Sequence, residues 1–317
     1  MKLVFLISLP RSGSTLLQRL LMGHSQIATC GEPWLALPIA LMDRRYEGFS
    51  TYGHFSLNNS VTNLYELLPG GREQFLSEGG NFITSLYEKI SPPNKAFFLD
   101  KTPRYYKIIP ELKLMFPQAK FLYMTREPIS VYASILNYID GKMYRLPTWR
   151  QDIVEGMHKL SFEIDNLDSN SYLIRYEDLV ADPTDTLSNV LDFLGLSFEP
   201  DIIDRLNQRN INLGDPSSGK KYDTISRKSI HSWKTVINSK TKRAVGMNWL
   251  KEVPESCFLS FNTSKSEELK KFDSLKPKTD LRNIASWLTG ATYFYGGLNV
   301  VRWGFKRRKE KLHSAVY

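Results

Sequence analysis

The stretch KLVFLISLPRSGSTLLQRLLM, residues 2–22, determines the fold that we expect for the rest of the chain. Residues 3–9 form a short, almost entirely apolar run that is typical of a fully buried strand. Between residues 16 and 21, four leucines recur at helical spacing. The turn between these two parts, Pro10–Thr15, contains one arginine, one glycine and three hydroxyl side chains. A strand, a turn and a helix in this order direct backbone N–H groups and a helix N-terminus toward an anion.

The turn Pro10–Thr15 (the anion loop) supplies the donors that a phosphate or sulfate group needs. Gly13 lets the backbone approach an anion closely, and Arg11 adds a fixed positive charge. The loop lacks the Gly-x-x-x-x-Gly-Lys-Ser/Thr pattern of nucleoside triphosphate hydrolases, which disfavours ATP or GTP hydrolysis. An ordinary turn with chance serines remains the alternative from this loop alone. The hydroxyl side chains of the loop belong to Ser12, Ser14 and Thr15.

Composition restricts the class of protein. A chain of 317 residues, 42% hydrophobic and 24% charged, suits one large globular α/β domain with an extension. The net charge is +9, but residues 301–317 hold six lysines and arginines against one glutamate. The rest of the chain is therefore mildly basic, which suits a small anionic ligand and gives no support for a nucleic-acid partner.

The two cysteines, Cys30 and Cys257, lie far apart and form no metal-ligand pattern. We therefore expect no disulfide framework, no metal site and a reducing, cytoplasmic location. The apolar run at residues 3–9 is too short for a signal peptide and is followed by Pro-Arg instead of a cleavage site. We predict that this run is the first strand.

A second strand–turn–helix pattern occupies residues 119–134, AKFLYMTREPISVYAS. Arg126 ends the apolar run, Pro128 suits a first helical position, and Ser134 follows about two helical turns later. A planar guanidinium and a hydroxyl group in this order are well suited to hold one phosphate. The two patterns together predict two anion sites.

Two further charged residues follow predicted strands, at residues 27–30 and 96–100. The apolar spacing of residues 105–116 predicts one helix after the second of these strands. In α/β proteins ligands bind beside the carboxyl ends of the strands. Lys101 is therefore expected at the same edge as Arg11, with a solvated lysine as the alternative. Glu32 would repel an anion unless it takes part in the chemistry, and its alternative is a surface ion pair.

Residues 10–17, PRSGSTLL, resemble the 5′-phosphosulfate loop of sulfotransferases that use 3′-phosphoadenosine-5′-phosphosulfate (PAPS). Residues 119–134 resemble the element of the same family that binds the 3′-phosphate. The resemblance covers about residues 1–250. It implies an α/β fold with a central parallel sheet flanked by helices, related to the P-loop nucleotide hydrolases. It also implies transfer of a sulfonate from PAPS to a hydroxyl or amine, with adenosine 3′,5′-bisphosphate (PAP) as product and no metal.

The resemblance also assigns roles to single residues. The sequence Cys30-Gly31-Glu32 matches the context of the catalytic glutamate of tyrosylprotein sulfotransferases, so Glu32 is the expected base. Many relatives use a histidine instead, and His54 is the alternative. Arg11 and Lys101 are expected to stabilise charge on the transferred group. The expected cofactor-binding residues are Arg11, Ser12, Gly13, Ser14, Thr15, Arg126, Ser134, Tyr176, Ser218, Lys220 and Lys221.

Four of these assignments lie outside the two strand–turn–helix patterns. The residue expected to contact adenine, Tyr176, follows a predicted strand at residues 171–175. Three of the residues belong to a polar loop at residues 213–221, which in bacterial sulfotransferases folds over the cofactor. A solvated loop is the alternative there. The acceptor itself is expected to be a small molecule or a lipid.

We predict a sulfotransferase domain at residues 1–255 and a helical extension at residues 256–317. Residues 284–301 are uncharged and reach the lower length limit for a membrane-spanning helix, but contain three glycines. A helix packed on the catalytic domain or on a second subunit of a homodimer is the first expectation. Peripheral membrane contact through residues 284–311 is the second.

A nucleotide kinase-like enzyme and a non-catalytic membrane-associated protein on the same fold remain the alternative functions.

Overall fold

The computed structural model describes residues 1–44, 53–207 and 225–294. Its centre is a sheet of five parallel strands in the order β2-β3-β1-β4-β5. The predicted α/β fold with a central parallel sheet is confirmed. The strands are β1 (Lys2–Ser8), β2 (Ile27–Thr29), β3 (Phe97–Asp100), β4 (Lys120–Thr125) and β5 (Ser171–Arg175).

Strand β1 lies in the middle of the sheet, as its continuous apolar sequence predicts. Val4 is in register with Leu99 of β3, and Leu6 is in register with Leu122 of β4. All its residues after Lys2 are buried. Because all five strands run in the same direction, their carboxyl ends and the loops that follow them lie at one edge of the sheet.

The sheet belongs to a compact unit made of Met1–Arg126 and Lys159–Arg227. The predicted single helix over residues 105–116 is wrong. Pro110 has no N–H for the carbonyl of Tyr106, so a 3₁₀-helix at Pro103–Lys107 and a separate α-helix replace it. The α-helices of this unit are α1 (Ser14–Met22), α2 (Ala36–Asp43), α3 (His54–Leu67), α4 (Gly71–Ile90), α5 (Ile109–Met115), α8 (Tyr176–Ala181) and α9 (Pro183–Leu194).

A second compact unit consists of Glu127–His158 and Lys228–Tyr317. Helix α7 (Arg150–Asp165) contributes residues to both units. The predicted helical character of the C-terminal extension is confirmed for residues 256–294, the part of it that the structure describes. Its boundary after residue 255 stays a prediction. No described helix has the length and apolar character needed to cross a bilayer. The other helices of the second unit are α6 (Pro128–Ile139), α10 (Trp233–Val236), α11 (Lys240–Glu252), α12 (Glu255–Leu259), α13 (Lys265–Asp273) and α14 (residues 281–294).

Candidate active site

Each of the five strands is followed by one of the residues singled out from the sequence. The anion loop follows β1 and precedes α1. The other four residues come after β2, β3, β4 and β5 in turn. Because the strands are parallel, this edge of the sheet collects side chains that are far apart in the chain. They are Glu32, Lys101, Arg126 and Tyr176.

The anion loop has a backbone that suits an anion site. Arg11 has φ 71° and Gly13 has φ 98°, so two of its residues adopt the left-handed conformation. A non-glycine residue in this region is uncommon, and such strain concentrates at functional sites. Helix α1 starts at Ser14 without a side-chain cap and without an acidic residue in its first turn. The first amides of the helix therefore present partial positive charge with no side chain of α1 to neutralise it.

Ser12 adds an independent sign of a ligand in this loop. Its side chain is fully buried, and its Oγ has no hydrogen-bond partner among the described residues. A buried hydroxyl normally has a partner, because desolvating it without one costs free energy. An oxygen of a bound phosphate or sulfate would supply that partner.

Lys101 joins the anion loop to Glu32. Its Nζ lies 2.6 Å from Glu32 Oε1 and 3.4 Å from Thr15 Oγ1. The lysine side chain is fully buried, whereas that of Glu32 is 20% exposed. A buried ammonium needs a paired anion, which Glu32 supplies. The alternative of a solvated lysine is wrong, because no part of this side chain reaches water.

Arg126 and Tyr176 close over the other side of the anion loop. Arg126 Nη1 donates to the backbone carbonyl of Arg11 at 3.1 Å. The same guanidinium lies 4.3 Å from the centre of the Tyr176 ring, a favourable cation–π distance. That ring covers Gly13 so closely that a Cβ there would lie 2.2 Å from Tyr176 Cδ2. The two strand-turn-helix patterns of the sequence therefore meet through these side chains.

A buried carboxylate, Asp100, supports the loop that carries Lys101. It accepts hydrogen bonds from Tyr87 Oη at 2.6 Å and from Thr102 Oγ1 at 2.9 Å. Burial raises the pKa of Asp100 to about 6, against the opposing effect of these bonds. Burial, together with the nearby Asp100 charge, also raises the pKa of the Cys30 thiol to about 11. Cys30 is therefore a protonated thiol at neutral pH and a poor nucleophile.

Replacing Asp100 with asparagine is expected to flatten the pH dependence of stability between pH 4 and pH 6. Burial raises the pKa of Asp100 from its ordinary 3.8, so the folded state holds this proton more tightly than the unfolded chain. Its stabilising contribution is full below about pH 4 and is lost as the pH rises through about 6. The loss reaches about 3 kcal/mol. Thermal unfolding of both proteins from pH 4 to pH 7 measures this difference, and parallel curves would contradict the assignment.

Five further residues predicted from the sequence take no part in the contacts described above. Ser134 lies half-buried on α6, within the second unit. Three residues, Ser218, Lys220 and Lys221, lie outside the described residues. The alternative base, His54, has its Nε2 2.9 Å from the carbonyl oxygen of Arg44. The roles assigned to all of these residues stay predictions.

Sequence reasoning missed the residues that support the site. Asp100 served only to mark the end of a strand, and the tyrosine that donates to it, Tyr87, lies on α4. One signal was present, since an aspartate that ends the apolar run Phe97–Asp100 is unusual for a buried strand. Its partners come from other elements, so no local pattern identified them.

The sulfotransferase family model matches residues 4–200. Nodulation protein NoeE of Sinorhizobium fredii is 24% identical over 269 residues, which cover 76% of this chain and 62% of NoeE. Protein-tyrosine sulfotransferase 2 of Gallus gallus is 28% identical over 211 residues, covering 64% of this chain and 53% of the relative. The chain thus spans about half to two thirds of the length of these relatives.

Among solved structures, the sulfotransferase domain from the curacin biosynthetic pathway aligns with a TM-score of 0.45 and 23% sequence identity. The alignment covers 74% of this chain and 96% of that domain. The matched residues 4–200 make up more than half of the chain and contain the anion loop, strands β2 to β5 and all of β1 except its first two residues. This protein belongs to the sulfotransferase family.

Proposed function

We propose that the protein transfers a sulfonate group from PAPS to a hydroxyl or amine of an acceptor. Family membership supports the reaction class, and one contact carries the assignment of the site. Lys101 Nζ lies next to both Thr15 of the anion loop and the Glu32 carboxylate. A group held by the loop would therefore be within reach of a cation and close to a candidate base, which is the arrangement that sulfonate transfer needs.

The residues of the anion loop fit the 5′-phosphosulfate end of PAPS. The first amides of α1 carry partial positive charge, Ser12 Oγ is buried without a partner among the described residues, and Arg11 adds a cation. We assign Ser12, Gly13, Ser14 and Thr15 to this end of the nucleotide. Gly13 is needed because neither its φ of 98° nor the Tyr176 ring above it tolerates a larger residue.

The second motif, residues 119–134, is assigned to the 3′-phosphate end of the nucleotide. Arg126 holds a guanidinium against the Tyr176 ring, which supports a site where cation and aromatic ring act together. We assign Arg126 and Ser134 to the 3′-phosphate and Tyr176 to the adenine. The assignment of Ser134, like that of Ser218, Lys220 and Lys221 to the cofactor, rests on the resemblance of the sequence motifs.

In the proposed reaction, one residue accepts a proton from the acceptor and two cations stabilise negative charge. PAPS, when bound, supplies a sulfonate on a phosphate leaving group that an acceptor displaces in line. Glu32 accepts the proton of the acceptor, and its 2.6 Å bond to Lys101 fixes the orientation of the carboxylate. Lys101, which is buried, and Arg11, which is half-buried, stabilise negative charge that develops on the leaving oxygen, where a low dielectric strengthens the interaction.

The acceptor is proposed at the level of its chemical class. The chicken relative is named for protein tyrosine, whose side chain offers a phenolic hydroxyl as the acceptor. A hydroxyl or amine of a small molecule or a lipid remains our proposal for this chain. Membrane contact through residues 284–311, a homodimer, a cytoplasmic location and independence of metal stay predictions from the sequence.

Titration calorimetry without added metal tests the nucleotide assignment. We expect the wild type to bind PAP more tightly than ADP, because only PAP carries a 3′-phosphate. Replacing Arg126 with alanine should weaken PAP binding by about 10- to 100-fold, which is the value of a charge-assisted hydrogen bond. The affinity for ADP should change little.

Arg205 provides the matched control for this titration. Like Arg126, it donates to a backbone carbonyl, but this carbonyl belongs to Gly23, at the opposite end of α1 from the anion loop. Arg205→Ala should leave PAP affinity unchanged. Equal, weak binding of PAP and ADP to the wild type would rule out the proposed function.

A further inference from the structure

The first turn of α6 is held by a carboxylate from the C-terminal segment. Glu268 lies on α13, and its Oε2 accepts a hydrogen bond from the backbone N–H of Ile129 at 2.8 Å. Ile129 is the second residue of α6, so this amide has no partner inside the helix. The Glu268 side chain is fully buried. A buried carboxylate in contact with a helix N-terminus is a specific connection between two distant parts of the sequence.

Lys271 completes this connection. Its Nζ lies 2.6 Å from Glu127 Oε1 and 2.5 Å from Glu268 Oε1. Ser130 Oγ donates to Glu127 Oε2 at 2.5 Å. One ammonium thus bridges the carboxylate just before α6 and the carboxylate from α13. Burial raises the pKa of Glu268, against the opposing effect of Lys271 and of the Ile129 amide.

The same face of α13 also packs against the middle of α6. Phe272 follows Glu268 by four residues, and its ring centre lies 6.1 Å from that of Tyr132. On another side, a Cβ at Gly246 would lie 2.5 Å from the Tyr132 ring. Helix α6 is therefore fixed at its start by charge and at its middle by close packing. Helix α13 supplies the charged contact and one side of the packing, and α11 supplies the other side.

We propose that Glu268 and Lys271 are positioning residues for recognition of the 3′-phosphate. Ser134, which we assign to that phosphate, lies on α6. The contacts at the start of α6 fix the position of the helix along its axis and the direction of that axis. The Ile129 amide is already bonded to Glu268, so the phosphate is left to side chains of the motif at residues 119–134. This inference rests on the proposed function. It gives the C-terminal segment, which lies beyond residues 4–200 matched by the family model, a part in cofactor selection.

The test compares PAP with adenosine 5′-monophosphate (AMP), which lacks the 3′-phosphate. In calorimetry, Glu268→Ala should weaken PAP binding about tenfold, or about 1.4 kcal/mol, while AMP binding changes less than about twofold. The selective loss is expected because only PAP depends on the position of α6. Asp273→Ala is the matched control, since Asp273 lies on the same helix but is 59% exposed. It should leave both affinities unchanged.

Lys271→Ala provides a second variant if Glu268→Ala does not fold. It removes the ammonium that bridges the two carboxylates and should produce the same selective loss. Equal weakening of PAP and AMP, or an unchanged ratio in both variants, would overturn the positioning role. A wild type that binds PAP no more tightly than AMP would instead overturn the proposed function on which the inference rests.

Discussion

Replacing Glu32 with glutamine is expected to lower the rate of sulfonate transfer by about 10³-fold, within the range for loss of a general base. Glutamine keeps the size of the side chain and an oxygen that can accept from Lys101, but it cannot take a proton. PAP affinity should change less than about twofold, because Glu32 is not assigned to the nucleotide. The measurement follows transfer of labelled sulfonate from PAPS to a tyrosine-containing peptide and to a long-chain alcohol.

Glu199 is the matched control for this substitution. Its side chain is 22% exposed, close to the 20% of Glu32, and it is also paired with a cation, Arg205. Glu199→Gln should therefore transfer sulfonate at the wild-type rate. Retained transfer in Glu32→Gln would show that another residue is the base, and His54 would then be the next to replace.

Replacing Gly13 with alanine is expected to weaken PAP binding severely. The added Cβ would lie 2.2 Å from the Tyr176 ring, at a backbone position with φ 98°. Left-handed strain costs about 1–2 kcal/mol, and relief of the clash costs about 1–3 kcal/mol more. The total, about 2–5 kcal/mol, corresponds to a loss in affinity of about 30- to 4,000-fold. Titration with PAP measures it, and thermal unfolding shows how much of the cost falls on the fold.

Gly195 is the control, because it shares the left-handed backbone strain of Gly13 but not the steric clash. It has φ 73°, but a Cβ there meets nothing within 4 Å. Gly195→Ala should therefore lower stability by about 1 kcal/mol without changing PAP affinity. If Gly13→Ala bound PAP as the wild type does, Tyr176 would have to move away at no cost, and the close packing of the loop would not matter for binding.

Much of the fold was predictable because its signals are local. Continuous apolar runs predicted the buried parallel strands, and the turns after β1 and β4 drew attention to Arg11 and Arg126. The helix at residues 105–116 was predicted wrongly because the apolar spacing hid the effect of Pro110. Because Pro110 has no N–H, it cannot bond to the carbonyl of Tyr106, and a new helix starts at Ile109.

The partners of the site residues were not predictable in the same way. Lys101 contacts Glu32, 69 residues earlier in the chain, and Arg126 donates to Arg11 across 115 residues. A residue pattern shows that a cation follows a strand, but it does not show whether that cation is solvated or buried against a carboxylate. That outcome depends on which strands become neighbours.

The sequence by itself determined the family, the class of fold and the order of the two anion-binding motifs, because glycine, proline and apolar periodicity act over a few residues. Only the tertiary structure decided that Lys101 is buried between Thr15 and Glu32. It alone placed the Glu268 carboxylate of α13 against the amide of Ile129 at the start of α6, 139 residues earlier in the chain. The physical reason is that burial and ion pairing depend on neighbours in space, which the packing of the whole chain selects.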